Sequence, residues 1–279
     1  MYIADLAPET ATARRAPVPA FVRSDSELRA SLAKFGGRTG PIGIREAGAL
    51  RLRFPRVGGA CEGVIVNTSG GIAGGDRQLI SFSVGEGATA AITTQSAEKV
   101  YGSDGEAATI DTTLDLAADA RFAWLPQETI LFDGAALCRR IEADLAADAR
   151  LLAVESVILG REAMGETVEQ ARLKDRWRIR VDGRLIFADD LGFDGAPPAS
   201  RATLGEARAF ATVVLVSPEA EALVARARTL IGENGSASAW SGKLVARLCA
   251  RDGFLLRKSL VPALTLLGGG AALPKTWSL

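Results

Sequence analysis

The sequence predicts a mainly β protein of the α+β class: stacked antiparallel or β-helix-like sheets, then a few C-terminal α-helices. Three observations carry this. From Ser24 to about Ser217, β-rich segments of five to eight residues are broken by Gly, Asp-Gly or Ala-Asp turns. After Pro218 the apolar period lengthens from that of a strand to that of a helix. Finally, SFSVGEGATAAITTQ, TLDLAADARFAWLPQ and EADLAADARLLAVES share one layout of strand, short turn, Ala and strand. Gly87, Asp119 and Asp148 hold the same place in it, about 30 residues apart, as stacked rungs require. Hairpins of any β protein share much of this layout, so it is an expectation for the structure to decide. Residues 1–20 read as a mobile tail, and residues 21–279 as one β-rich domain with helices after about 218.

Taken in order, CEGVIVN is a strand that leads into NTSGGIAGGDR, with Gly70, Gly71, Gly74 and Gly75. A phosphate-cradling glycine loop needs a helix N-terminus behind it. Here RQLISFSV follows, with Ile80, Phe82 and Val84 alternating as in a strand. The glycines therefore mark a tight strand-to-strand connection where other backbone packs close, ending on Asp76 with Arg77 as a possible ion-pair neighbour. RWRIRVDGRLIF reads as a hairpin: Trp177, Ile179 and Val181 alternate with Arg178 and Arg180 before the Asp182-Gly183 turn. PEAEALVARARTLIGEN has Leu223, Ala227 and Leu230 at helical spacing. SGKLVARLCARDG is expected as a second helix and RKSLVPALTLLGG as a third, interrupted by Pro262. Gly242-Lys243 does not make a phosphate loop, since Leu244 and Ala237 stand where Ser or Thr and the first Gly are needed.

Composition removes whole classes of function. Lys plus Arg and Asp plus Glu are 33 each, so no global field favours nucleic acid or an anionic membrane. No apolar run reaches the roughly 20 residues of a membrane span, and no signal peptide is read at the start, which points to the cytoplasm. The three cysteines, Cys61, Cys138 and Cys249, form no C-x-x-C pair. There is no histidine at all. Ser-His-Asp and Cys-His catalysis are excluded, as is any histidine-based metal site within the chain.

Isolated acids in apolar company are the remaining chemical signal. Glu155 lies in LLAVESVILG, otherwise a buried strand, and a buried carboxylate must be paired, hydrogen-bonded or protonated. Asp76 closes the glycine turn, and Glu98 and Lys99 follow TTQSA. Glu128 and Asp133 bracket TILF, and Asp189 and Asp190 follow LIFA. Each fits a turn acid or an arginine partner. Together they also fit a set of hard oxygen ligands along a polar path that holds a divalent cation weakly and exchangeably.

NTSGGIAGGD, TTQSAEKVYGS, LPQETILFDGA and ILGREAMGE, in this order, resemble the urease accessory protein D family (UreD, called UreH in some organisms). The resemblance runs from about Leu28 to the LPKTWSL terminus. The chain departs from the family's frequent His-Pro-Pro at Asn67, Thr68 and Ser69, and from its Phe-Tyr-Arg-Ser at Val100 to Ser103. The resemblance implies a non-catalytic β-rich scaffold. Such a scaffold binds apo-urease and UreF, which recruits the GTPase UreG, while nickel passes through an internal tunnel towards urease. It implies no tightly bound cofactor, only nickel in transit. By motif, Asp76 and Glu98 match positions near that path; Glu155 and Asp189 join them from the buried-acid argument. The helical tail, with Leu260, Leu264 and Leu267, and the TWSL end are expected to meet a partner. The competing readings are a carboxylate-pair hydrolase such as a glycosidase, for which the scattered Trp124, Trp177, Trp240 and Trp277 offer little sugar stacking, and a plain binding module.

Overall fold

The computed structural model describes residues 23–55, 61–200, 202–270 and 273–278; the tail expected over residues 1–20 lies outside them. The strands begin with β1 (Asp25–Phe35), β2 (Arg38–Ala47), β3 (Leu50–Arg53), β4 (Cys61–Asn67), β5 (Arg77–Val84) and β6 (Thr89–Thr94). Next come β7 (Glu98–Val100), β8 (Ala108–Leu116), β9 (Arg121–Leu125), β10 (Thr129–Leu131), β11 (Ala136–Leu145) and β12 (Arg150–Leu159). β13 (Ala171–Val181), β14 (Arg184–Gly195), β15 (Ala209–Val216), β16 (Gly235–Trp240) and β17 (Lys243–Ala250) complete them. The helices are α1 (Ala220–Ile231) and α2 (Gly253–Leu267).

The strands form two sheets. The front sheet has the order β14-β13-β11-β8-β5-β1-β2. The back sheet has the order β16-β17-β15-β12-β9-β6-β4-β3, with β10 pairing β12 and β7. From β4 to β13 the chain passes back and forth between the sheets, each rung adding one strand to the front and one to the back, with β7 and β10 following β6 and β9 in the back sheet after a break. The rung strands are parallel: β5, β8, β11 and β13 in front, and β4, β6, β9 and β12 behind. Antiparallel pairing is confined to the margins, at β1 with β2, β13 with β14, β3 with β4, and β12 through β15 and β17 to β16. The β-helix-like alternative is thus the one realised, because a rung that returns to the same sheet after two crossings arrives in the same direction.

The three similar segments are successive rungs, and their turns stack. Arg121 N donates to Ala88 O and Arg150 N to Ala120 O, both at 2.8 Å, and Asp119 N donates to Asp148 Oδ1 at 2.9 Å. Gly87 and Asp119 both have left-handed φ, 61° and 50°, which explains why glycine or a short polar side chain recurs there. These tight turns make one end of the sandwich. The opposite end is made of the longer connections, and all four family-like motifs lie there.

The interior between the sheets is packed with Leu28, Phe82, Leu114, Ile141 and Trp177. A second core forms where α1 and α2 cover the outer face of the back sheet, with Leu256, Leu260 and Leu264 against Val154, Val213 and Leu248. The hairpin over β13 and β14 and both outer helices stand as read, and α2 runs through Pro262. On α1 the buried face is Ala220, Ala227 and Ile231, while Leu230 is exposed. Two expectations are corrected. SGKLVARLCARDG is not a helix: it contains β17, whose Leu244, Ala246 and Leu248 face the helices while Val245 and Cys249 face the interior. Because apolar Val245 and Cys249 also occupy the partly buried inner face, the sequence lacks the clean alternation that marks a strand. Leu260, Leu264 and Leu267 also need no partner, since the chain's own back sheet covers them. Trp277 is buried too, its Nε1 donating to Leu125 O at 2.9 Å.

Candidate functional site

The strand period fixes which side chains point between the sheets. On β5 these are the even residues, and on β11 and β13 the odd ones. Near the tight-turn end they are Phe82, Val84, Leu145 and Ile179, all buried and apolar. Near the motif end the same strands place Gln78, Arg139 and Asp175 inside, again buried. Register joins them into one row, Gln78 beside Ile110, Ile110 beside Arg139, Arg139 beside Asp175. Facing them from the back sheet are Glu98 beside Thr129, and Glu155 beside Thr212 beside Arg247. A polar seam therefore crosses an otherwise apolar sandwich.

Two breaks in the back strands open space for it. Residues 95–97 separate β6 from β7, and residues 126–128 separate β9 from β10. Pro126 has no N–H to continue a ladder. At the breaks Glu98 N donates to Glu128 O, and Gln127 N to Thr94 Oγ1, both at 2.8 Å.

Arg139 is the centre of the seam. Its guanidinium donates to Asp175 Oδ2 at 2.6 Å, Glu155 Oε2 at 2.5 Å and Thr129 Oγ1 at 3.1 Å. Trp124 Nε1 donates to the other Glu155 oxygen at 2.9 Å. Arg139, Glu155 and Asp175 are each about 5% exposed or less, so two carboxylates share one cation out of water. Burial pushes the Glu155 carboxyl up; Arg139 pulls it back and Asp175 adds to the rise, leaving it raised. Burial works against the charge on Arg139, but Asp175 and Glu155 more than offset that and raise its pKa, so it stays charged.

The other predicted acids are placed as follows. Glu98 lies at one end of the seam beside a cavity of about 120 Å³ also lined by Asn67, Gln78, Gln95 and Lys99. Asn67 Nδ2 donates to both Glu98 oxygens, at 3.1 and 3.0 Å. Burial pushes Glu98 up, against hydrogen bonds from Asn67 and Gln78. Asp189 lies at the other end, where Arg247 donates to Oδ2 at 2.5 Å and to Thr212 Oγ1 at 3.1 Å. Asp76 stands two residues before Gln78 on the same inward side. Its carboxylate accepts from Ser24 N at 2.7 Å and Ala73 N at 2.8 Å, and Arg77 forms no ion pair with it. Among the described residues no three of His, Cys, Asp and Glu gather into a ready-made metal cage. Glu98, Glu155 and Asp189 are stations along one seam rather than one site, and Asp76 is a clamp at its edge.

The sequence reading did not single out Arg139, Asp175, Gln78, Thr212 and Arg247. For Asp175 the signal was present: extending the Trp177 and Ile179 alternation backwards puts Asp175 and Leu173 inside. The motif acids beside the seam have structural partners. Glu128 forms a two-pronged pair with Arg257 of α2, at 2.6 and 3.0 Å, and that guanidinium lies over the Trp277 ring at 5.2 Å. Asp133 accepts from Gln170 N at 2.8 Å and Glu169 N at 2.7 Å, which hold its carboxyl below the usual range.

Rungs of parallel strands around a charged interior seam, with the sequence motifs gathered at one end, define a β-helix-like protein with a buried ion-pair seam. The family model described as UreD urease accessory protein matches residues 24–278, and the chain belongs to that family. It is 49% identical over 250 residues to the urease accessory protein UreD of Rhizobium leguminosarum bv. viciae, covering 88% of this chain and 92% of that protein. The UreD of Mesorhizobium japonicum is 46% identical over 267 residues, covering 91% and 95%. UreD 2 of Methylorubrum populi is 49% identical over 248 residues, covering 84% of each. The chain is an accessory protein of urease maturation, not a catalyst. Among the described residues no helix is long and apolar enough to cross a membrane.

Proposed function

We propose that the chain is a cytoplasmic scaffold that binds apo-urease and UreF and, through UreF, the GTPase UreG, and that it conducts nickel to urease along the interior seam. One observation carries the conduction reading: the seam is short of positive charge. At its buried centre Glu155 and Asp175 share the one guanidinium of Arg139, while Glu98, with Lys99 beside it, and the Asp189–Arg247 pair lie partly exposed towards its ends. Buried carboxylates in excess of cations favour either a proton or a passing metal ion. Oxygen donors without histidine or thiolate suit an exchangeable cation, as transit requires and storage does not. The family-typical motifs support the same reading, since LPQETILFDGA supplies Thr129 at the seam and Glu128 beside it. Co-purification with urease and UreF tests the scaffold, and nickel-dependent urease activation with and without the chain tests the role. Absence of both the complex and an activation difference would overturn it.

A further inference from the structure

Among the described residues α1 and α2 pack on the back sheet and not on the outward face of the front sheet, where β13 is unusual. Its outward residues are Arg172, Lys174, Arg176, Arg178 and Arg180, a cation at every position. Two residues of strand rise about 6.6–6.8 Å, so the charges form an evenly spaced ridge. Asp190 pairs with Arg176 and Arg178, at 2.7 and 2.6 Å, and Arg172 donates to the Gly105 carbonyl at 2.9 Å. Among the described residues Lys174 and Arg180 form no ion pair. A groove of about 610 Å³ opens over this part of the face, lined by Cys138, Arg140, Lys174, Arg176, Asp190 and Gly192. Gly192 lies on its floor, where the backbones of β13 and β14 approach so closely that a Cβ would collide with the Leu173 carbonyl oxygen.

We propose that this ridge binds an extended acidic segment of a protein partner, one with Asp or Glu at every second residue. An extended peptide has the same two-residue rise as β13, so its carboxylates fall in register with the row, in which Lys174 and Arg180 form no ion pair among the described residues. Acids flank the ridge: Glu142 and Asp144 lie beside Arg178 and Arg180, and Asp190 and Asp194 lie across from Arg176 and Arg172. They confine an anionic ligand to the line of β13 and oppose a broad polyanion such as nucleic acid. The chain's zero net charge also gives nucleic acid no long-range attraction.

The test uses the full chain and a labelled decapeptide of alternating Glu and Thr, followed by fluorescence anisotropy. A block peptide of the same composition and an oligothymidylate of equal length are the comparisons. The alternating peptide is expected to bind best and to weaken with salt. Reversing the two unpaired cations, Lys174→Glu with Arg180→Glu, should weaken it about tenfold or more. Arg226→Glu, exposed on α1 across the molecule, should leave binding unchanged. If the reversals disturb folding, as read by circular dichroism, Lys174→Gln with Arg180→Gln carries the same expectation at smaller size. No binding, equal or tighter binding of the block peptide or the oligothymidylate, or unchanged affinity in the double variants overturns the proposal. The assay reads peptide capture alone, so its outcome is separate from that of the urease tests.

Discussion

The two halves of one interior differ sharply although the same strands build both. Towards the tight turns, β5, β8, β11 and β13 place Phe82, Leu114, Leu116, Leu145 and Ile179 between the sheets, against Phe122 and Val214 behind. Towards the motif loops, β5, β11 and β13 place Gln78, Arg139 and Asp175 there, against Glu98, Thr129 and Glu155. The first half is held by close packing, which is insensitive to pH and stabilises in proportion to area buried. The second is held by charge and hydrogen bonds in a dry setting, where each partner is costly to lose. Close apolar packing and a buried ion-pair seam are thus separated along a single strand, a few residues apart.

That contrast breaks most readily at Arg139. Arg139→Leu leaves two buried carboxylates without a cation and should cost about 3–5 kcal/mol in urea denaturation. Adding Glu155→Gln and Asp175→Asn should restore most of it, because the cost lies in charge rather than shape. In the apolar half, Leu114→Ala should cost about 2–5 kcal/mol, with no such rescue from substitutions in the seam. A rescue there would mean that the two halves do not behave independently. Asp76→Ala, at the seam's edge, strands the Ser24 and Ala73 N–H groups and should cost about 1–3 kcal/mol.

The smallest effect concerns pH. Burial raises Glu98 above the ordinary carboxylate range, so its contribution to stability is present below that range and is lost as pH rises through its raised value. Glu98→Gln has no such loss. Its stability relative to the unmodified chain should therefore climb with pH over that interval and level off above it, as read by thermal melts across a pH series. A constant difference would contradict the burial of Glu98.

Much of the apolar half was legible in the sequence and much of the seam was not. The alternation of Ile80, Phe82 and Val84 and the Gly87, Asp119 and Asp148 turns are local, so one strand and one rung announce themselves. In β17 the partly buried Val245 and Cys249 are as apolar as the buried Leu244, Ala246 and Leu248 between them, so the sequence shows no alternation. In the seam, Glu155 was recognised as an acid in an apolar run. Its partner Arg139 lies on a strand of the opposite sheet, 16 residues away, and Arg139 in turn pairs with Asp175 on the neighbouring strand β13, 36 residues on. No local pattern encodes that pairing; it exists only once the rungs stack. The glycine cluster shows the same limit. A Cβ on Gly74 would lie 2.6 Å from the Glu106 carbonyl oxygen, a close approach that the sequence implies without naming the neighbour.

The central claim is that the seam, short of positive charge, carries a cation. The direct measurement is nickel-dependent urease activation in cells whose own copy is replaced by the Glu98→Gln, Glu155→Gln double variant, with recovery of the urease complex measured alongside. Each change keeps the shape and removes a carboxylate, and Glu155→Gln leaves Arg139 evenly matched with Asp175. The account predicts activation reduced about 10–100-fold with the complex intact. Full activation by the double variant would contradict it.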